Sequence, residues 1–133
     1  MFFQNQEDSP VSPTTAAKSF KEKKSFASRK RDADSVKDLH PDKLPLIIER
    51  YKHEKALPML DKIKFLVPFD MTVGTLTSII RKRLQLNSSQ ALFILFDNKN
   101  IFSASGALLD IYRDQKDEDG FLYIIYASQE TFG

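Results

Sequence analysis

The chain has 133 residues, of which 41% are hydrophobic and 29% charged, with eleven Phe, no Trp and no Cys. That is the profile of one globular domain with a modest, Phe-rich core. It excludes a membrane-spanning run of apolar residues, a secretory leader at the start, and any disulfide, thiolate metal site or cysteine nucleophile. The net charge of +2 hides an asymmetry: residues 18–31 carry seven cations against one anion, and residues 110–119 carry five anions against two cations. Such a dipolar molecule can steer its partners by charge.

Residues 1–16, rich in Ser, Thr, Pro and Gln, have little to bury and read as a disordered tail. Residues 17–40 lack Gly and Pro until His40-Pro41 and read as a helical extension. Phe20 opens a short helix within AKSFKEKK, and a second helix is predicted from about Ser28 to Leu39, with Ala33, Val36 and Leu39 as a narrow apolar stripe. Both are marginal alone and need a surface to pack on. Phe20 and Phe26 are the expected packing anchors.

LPLIIERY, residues 44–51, reads as a strand buried on both faces. Residues 61–67, DKIKFLV, alternate: Ile63, Phe65 and Val67 on one side, Lys62, Lys64 and Leu66 on the other. This predicts a half-exposed strand in a hairpin with the first. TVGTLTSIIRKRL, residues 72–84, is an amphipathic helix with Thr72 as N-cap and Arg81, Lys82 and Arg83 in its last turn. ALFILF (91–96) is an apolar strand, IFS (101–103) a candidate return strand, residues 105–113 a short helix, and FLYIIYA (121–127) a last strand after the acidic turn 117–120. The element order predicts an α+β fold. It is that of a ubiquitin-like β-grasp with a mixed sheet of about four to five strands and two extra N-terminal helices.

The blocks IIERYKHEKALPMLDKIKFLVP (47–68), RKRLQL (81–86) and KDEDGFLYIIYASQETFG (116–133) resemble the ubiquitin-like autophagy modifiers, in particular the microtubule-associated-protein light-chain-three branch. The resemblance runs from about Phe20 to Gly133. It implies a ubiquitin-like domain over 41–128 and a flexible conjugation tail at 129–133. Members of that family are cytoplasmic until the carboxylate of their terminal glycine is joined to phosphatidylethanolamine, and sit on the autophagosome membrane afterwards. Gly133 stands at that position. Family precursors usually carry residues beyond it. Glycine suits the role because, without a Cβ, it passes a narrow enzyme channel.

The resemblance further implies that the 62–67 strand binds aromatic-x-x-aliphatic peptides of cargo and adaptor proteins by adding a strand to the sheet. A first pocket would comprise Asp32, Val36, Pro45, Ile47, Lys64, Leu66 and Phe121. A second would comprise Phe65, Val67, Pro68, Leu76, Ile79 and Ile80. Lys62, Lys64 and Arg83 would attract acidic residues flanking the motif. From pattern alone most of these apolar residues read as core. The other implied partners are the activating, transferring and processing enzymes of the conjugation system.

The basic stretch, with Lys21, Lys23 and Lys24 as its surface, reads equally as a solvated helix face. Tubulin, anionic lipid or RNA phosphate are the alternatives, with no specific nucleic-acid motif. A second reading is therefore a non-conjugated ubiquitin-fold module that associates with microtubules or other acidic partners through these helices. The light-chain-three branch has an arginine pair where this chain has Lys23-Lys24, and lysine lacks the bidentate fork. No catalytic residue, metal site or cofactor is expected: His40 and His53 lack nucleophile partners, and there is no Gly-rich phosphate loop.

Overall fold

The computed structural model describes residues 18–96 and 102–128. The expected tail 1–16, the turn at 97–100 and the segment 129–133 with Gly133 lie outside the described residues.

Two helices open the described residues. Helix α1, Phe20–Lys23, is one turn long, and a capping box starts it: the Ser19 hydroxyl accepts from the Glu22 amide while the Glu22 carboxylate accepts from the Ser19 amide. Helix α2, Phe26–Leu39, begins two residues earlier than its apolar spacing predicts, because Ser25 caps it by accepting from the Ser28 amide. It stops at His40, where Pro41 forbids another turn. The predicted stripe is only partly used. Ala33 is fully buried and Val36 half-buried, but Leu39 is 73% exposed. Phe20 is a packing anchor as expected; Phe26 is not, with 45% of its surface exposed.

The remaining elements are β1 (Lys43–Arg50), β2 (Lys64–Pro68), α3 (Val73–Leu84), β3 (Phe93–Leu95), α4 (Leu108–Gln115) and β4 (Leu122–Ala127). They form a four-stranded mixed sheet of order β2-β1-β4-β3. β1 and β2 are the predicted antiparallel hairpin, β1 and β4 run parallel at the centre, and β3 pairs antiparallel with β4. Thr72 caps α3 through the Thr75 amide, and Gln85 ends it in the left-handed conformation at φ 57°. Phe102 and Ser103 do not form the expected return strand, and Ile101 lies outside the described residues.

One face of the sheet packs on α3 and α4. Leu44, Leu46, Ile48, Phe65, Val67, Leu122, Ile124 and Tyr126 meet Leu76, Ile80, Leu108 and Ile111 in the main core. The other face meets α1 and α2 in a smaller cluster of Phe20, Ala33, Ile47 and Phe121. Gly120, at φ +99°, sits where the acidic turn touches α2; a Cβ there would lie 3.0 Å from that of Ala33. Glycine is therefore fitted both to the left-handed backbone and to the close approach.

Candidate functional site

β2 is an edge strand, and its backbone polarity follows from the register. The Ile48 amide donates to the Ile63 carbonyl at 2.8 Å. Hydrogen-bonded pairs alternate along an antiparallel ladder. Residues 63, 65 and 67 therefore turn their backbone groups toward β1, while Lys64 and Leu66 turn theirs outward, toward the sheet edge. The edge ends at Pro68, which has no N–H and whose carbonyl accepts from the Met71 amide at 3.1 Å.

The side chains of Lys64 and Leu66 face α1 and α2. Lys64 pairs with Ile47 and Leu66 with Pro45 across the hairpin, making a four-residue patch on the helix side of the sheet. The sequence pattern predicts this face to be half-exposed; instead Lys64 is 1% and Leu66 7% exposed. The reason is the two added helices, which lie over it. The Lys64 ammonium lies 3.8 Å from Asp32 and 5.1 Å from the centre of the Phe20 ring. Asp32 also holds Lys24 at 2.7 Å, so one carboxylate on α2 serves two lysines. A cation seated against a carboxylate and a ring face is a favourable way to keep charge inside.

The structure thus brings Asp32, Val36, Pro45, Ile47, Lys64, Leu66 and Phe121 to one side of the sheet. Ile47 and Phe121 form its floor, with no exposure, and Asp32 and Val36 form a half-exposed rim. Phe20 belongs to the same group, edge-on to Phe121 at 5.5 Å between ring centres. Sequence reasoning placed Phe20 as an anchor but did not place it here. The available signal was its isolation: it is the one large apolar side chain in residues 17–25. The second set falls on the opposite face. Phe65, Val67, Leu76 and Ile80 are fully buried in the main core, and Pro68 and Ile79 are its half-exposed members.

Among the flanking cations, Lys62 is half-exposed. Arg83 forks onto both oxygens of Asp61 at 2.9 and 3.0 Å and lies 5.9 Å from the Phe65 ring. That hydrogen bond holds the Asp61 carboxyl below its ordinary value.

The two charge blocks of the sequence meet each other. Lys21 contacts Asp117 at 2.5 Å, and Arg29 donates to the fully buried Asp119 at 2.9 Å. The Tyr123 hydroxyl also donates to Asp119, at 2.5 Å, and the other Asp119 oxygen accepts from the Phe121 amide. Burial, then the adjoining carboxylate, pushes the Tyr123 phenol far up. At Arg29 burial opposes the charge, but its bonds to Tyr123 and the charge of Asp119 outweigh it and raise the value. For Asp117, burial is likewise outweighed, here by the Lys21 hydrogen bond, and its carboxyl is held down. Lys30 pairs with Asp34 one helical turn away at 3.4 Å, while Lys18, Lys23 and Arg31 point to solvent.

Comparison with known proteins places these features in a family. The family model described as autophagy protein Atg8, ubiquitin-like, matches residues 28–133. The chain is 45% identical over 124 residues to human microtubule-associated protein 1 light chain 3 gamma, covering 93% of this chain and 84% of that protein. It is 44% identical over 115 residues to protein lgg-2 of Caenorhabditis elegans, covering 86% and 88% of the two chains. The crystal structure of ATG8 from Trypanosoma brucei superposes with a TM-score of 0.78 at 42% identity, covering 85% of this chain and 96% of that one.

Proposed function

The chain belongs to the Atg8 family of ubiquitin-like autophagy proteins, and we propose that it is a modifier joined through the Gly133 carboxylate to phosphatidylethanolamine, which then docks cargo receptors on the autophagosomal membrane. The family is one of modifiers rather than enzymes, so the chemistry is done to the chain and not by it. The carboxylate is activated with ATP as an adenylate. An enzyme thiol displaces AMP to give a thioester, and the lipid amine displaces that thiol to give the amide. Because this chain has no Cys, the thiols come from the activating and transferring enzymes. The protein is cytoplasmic before the amide forms and membrane-bound afterwards.

The single observation that supports docking best is the outward backbone of Lys64 and Leu66 on edge strand β2. An extended peptide that adds to this edge lays alternate side chains above and below the sheet. Its aromatic residue goes to the side of Asp32, Val36, Pro45, Ile47, Lys64, Leu66 and Phe121. Its aliphatic residue goes to the side of Phe65, Val67, Pro68, Leu76, Ile79 and Ile80. The incoming aromatic ring wedges at the Asp32 and Val36 rim, because Phe20 already covers the floor. Lys62 and Arg83 draw in acidic residues beside the motif, with Arg83 exchanging its exposed Asp61 partner for the ligand's carboxylate.

Docking through the basic helices alone has less support. Four of the seven cations in residues 18–31 already engage Asp32, Asp34, Asp117 and Asp119. Lys18, Lys23 and Arg31 remain as the outward contribution.

One reconstitution tests the whole reading. The chain is incubated with the family's activating and transferring enzymes, ATP and phosphatidylethanolamine liposomes, and the liposomes are then offered a fluorescent aromatic-x-x-aliphatic peptide. The intact chain gains the mass of one lipid and the liposomes retain the peptide; a chain lacking Gly133 gains nothing. An adduct formed equally well without Gly133 would overturn the mechanism.

A further inference from the structure

Glu54 is 2% exposed, and it is not part of either peptide-docking set. A buried carboxylate is costly unless its oxygens are satisfied. Here they are satisfied from two sides. One oxygen accepts from the Ala56 and Leu57 amides at 2.9 and 3.0 Å, which ties the carboxylate to its own loop between β1 and β2. The other accepts from the amide of Ser128 at 2.7 Å and from its hydroxyl at 3.0 Å. One oxygen faces the loop and the other faces Ser128, so the group is a bridge.

Ser128 is where such a bridge matters. The ladder from β4 to β1 ends at Arg50 with Tyr126, and the ladder to β3 ends at Phe93 with Ala127. Ser128 is the first residue past both, yet it is 6% exposed. The loop holding Glu54 is itself fastened to the sheet. Tyr126 donates to the Pro58 carbonyl at 2.8 Å and accepts from the Leu60 amide at 3.0 Å, and Arg50 donates to the Leu57 carbonyl at 2.9 Å. Glu54 therefore extends the fixed body by one residue beyond the sheet. Gly133 lies five residues further along the chain, a span of at most roughly 18 Å when extended.

We propose that Glu54 is a positioning residue for the chemistry at Gly133: its carboxylate clips the root of the 129–133 segment to the β1–β2 loop and so sets the point and direction from which the glycine enters a partner enzyme. This rests on the conjugation reading above. Losing the clip moves the root back to Ala127 and frees its direction, which dilutes the reactive geometry without altering the surface that the enzyme grips.

The experiment uses the full chain, Glu54→Gln and Ser128→Ala in the same reconstitution. Glutamine keeps the shape, but its NH2 group cannot accept, so one pair of bonds is lost. Ser128→Ala removes the hydroxyl bond and keeps the amide bond. For Glu54→Gln the kcat of lipid transfer falls about ten-fold, short of the hundred-fold that a misplacement of about 1 Å can cost, with KM for the chain unchanged. On whichever side the NH2 group takes, the Ser128 amide or the Ala56 and Leu57 amides exchange with solvent about ten-fold faster, as for one lost hydrogen bond. Ser128→Ala shows a smaller fall in the same direction, and carries the test should Glu54→Gln fold poorly. Wild-type kcat in a variant whose exchange at Ser128, or at Ala56 and Leu57, is accelerated overturns the positioning role and leaves the conjugation reading intact. Unchanged exchange at Ser128, Ala56 and Leu57 alike in Glu54→Gln overturns the clip itself. No lipid adduct with the intact chain overturns the conjugation reading, and this role with it.

Discussion

The two faces of the sheet are built from the same strands and do different work. On the α3 and α4 side, alternate residues of β1, β2 and β4 supply Leu, Ile, Val and Phe, with Tyr126 as a polar handle. Its hydroxyl finds partners at Pro58 and Leu60, and burial pushes its pKa up to about 12. On the α1 and α2 side, the intervening residues are Pro45, Ile47, Glu49, Lys64 and Leu66, with Phe121 and Tyr123. That side is closed by the one-turn helix α1, by α2 and by ion pairs to Asp32, Asp117 and Asp119. A dry face holds the fold together, and the opposite face mixes apolar and charged groups under a smaller, separately fastened cover.

The largest expected difference between the faces is in stability. Phe65→Ala removes a fully buried ring from the main core and costs about 3–5 kcal/mol, seen as a lower urea midpoint for the whole domain. Phe20→Ala removes an equally buried ring from the other face. Its cost is capped by the free energy of undocking α1, because a one-turn helix can leave without unfolding the sheet. Its expected signature is fast amide exchange confined to α1, with a urea midpoint that moves less. Equal global losses from the two variants would show that the cap and the core are one cooperative unit.

This contrast also explains what was legible in the sequence. The alternation in residues 61–67 put Phe65 and Val67 on one face and Lys64 and Leu66 on the other, since period two is a local property of the backbone, but the strand starts only at Lys64, and Ile63, ahead of it, packs against the Phe20 cluster instead of beside Phe65. The alternation could not say that Lys64 is buried, because the cover comes from Phe20 and Asp32, more than thirty positions away. The stripe of Ala33, Val36 and Leu39 predicted α2 but missed that Arg29, and not Leu39, is the side chain turned inward. Arg29 is paired with Asp119, ninety residues distant, and no periodicity reports such a pairing. The burial of Asp119 in the acidic turn is hidden from the sequence for the same reason. The main helix α3 was read almost to the residue, because its cap, its stripe and its basic last turn are all local.

The next effect is on recognition. Lys64→Ala and Leu66→Ala together are expected to weaken an aromatic-x-x-aliphatic peptide by about 1–3 kcal/mol, the range of interface anchors, measured by fluorescence anisotropy. Because both side chains are buried, the variant needs a thermal melt beside it. Unchanged affinity in a folded variant would move docking away from the helix side of β2.

The smallest effect separates charge from packing within the cap. Glu49 lies on the helix side of β1 and accepts the Phe20 amide at 2.8 Å. Burial raises its carboxyl above the ordinary value, against the opposing pull of that hydrogen bond and of Lys23 and Lys21, and with a push in the same direction from Glu22. The sign follows directly. Between the ordinary value and the raised one, the folded state binds more protons than the unfolded chain, so stability falls as pH rises through that window. Glu49→Gln is neutral throughout and its amide oxygen can still accept from Phe20. Urea titrations of the two chains from about pH 4 to about pH 8 should therefore show the variant gaining on the wild type as pH rises, by less than about 1 kcal/mol at the upper end. A variant that instead falls behind as pH rises would mean that the ionised carboxylate holds α1 more strongly than its burial opposes it, and that charge rather than Phe20 keeps the cap in place.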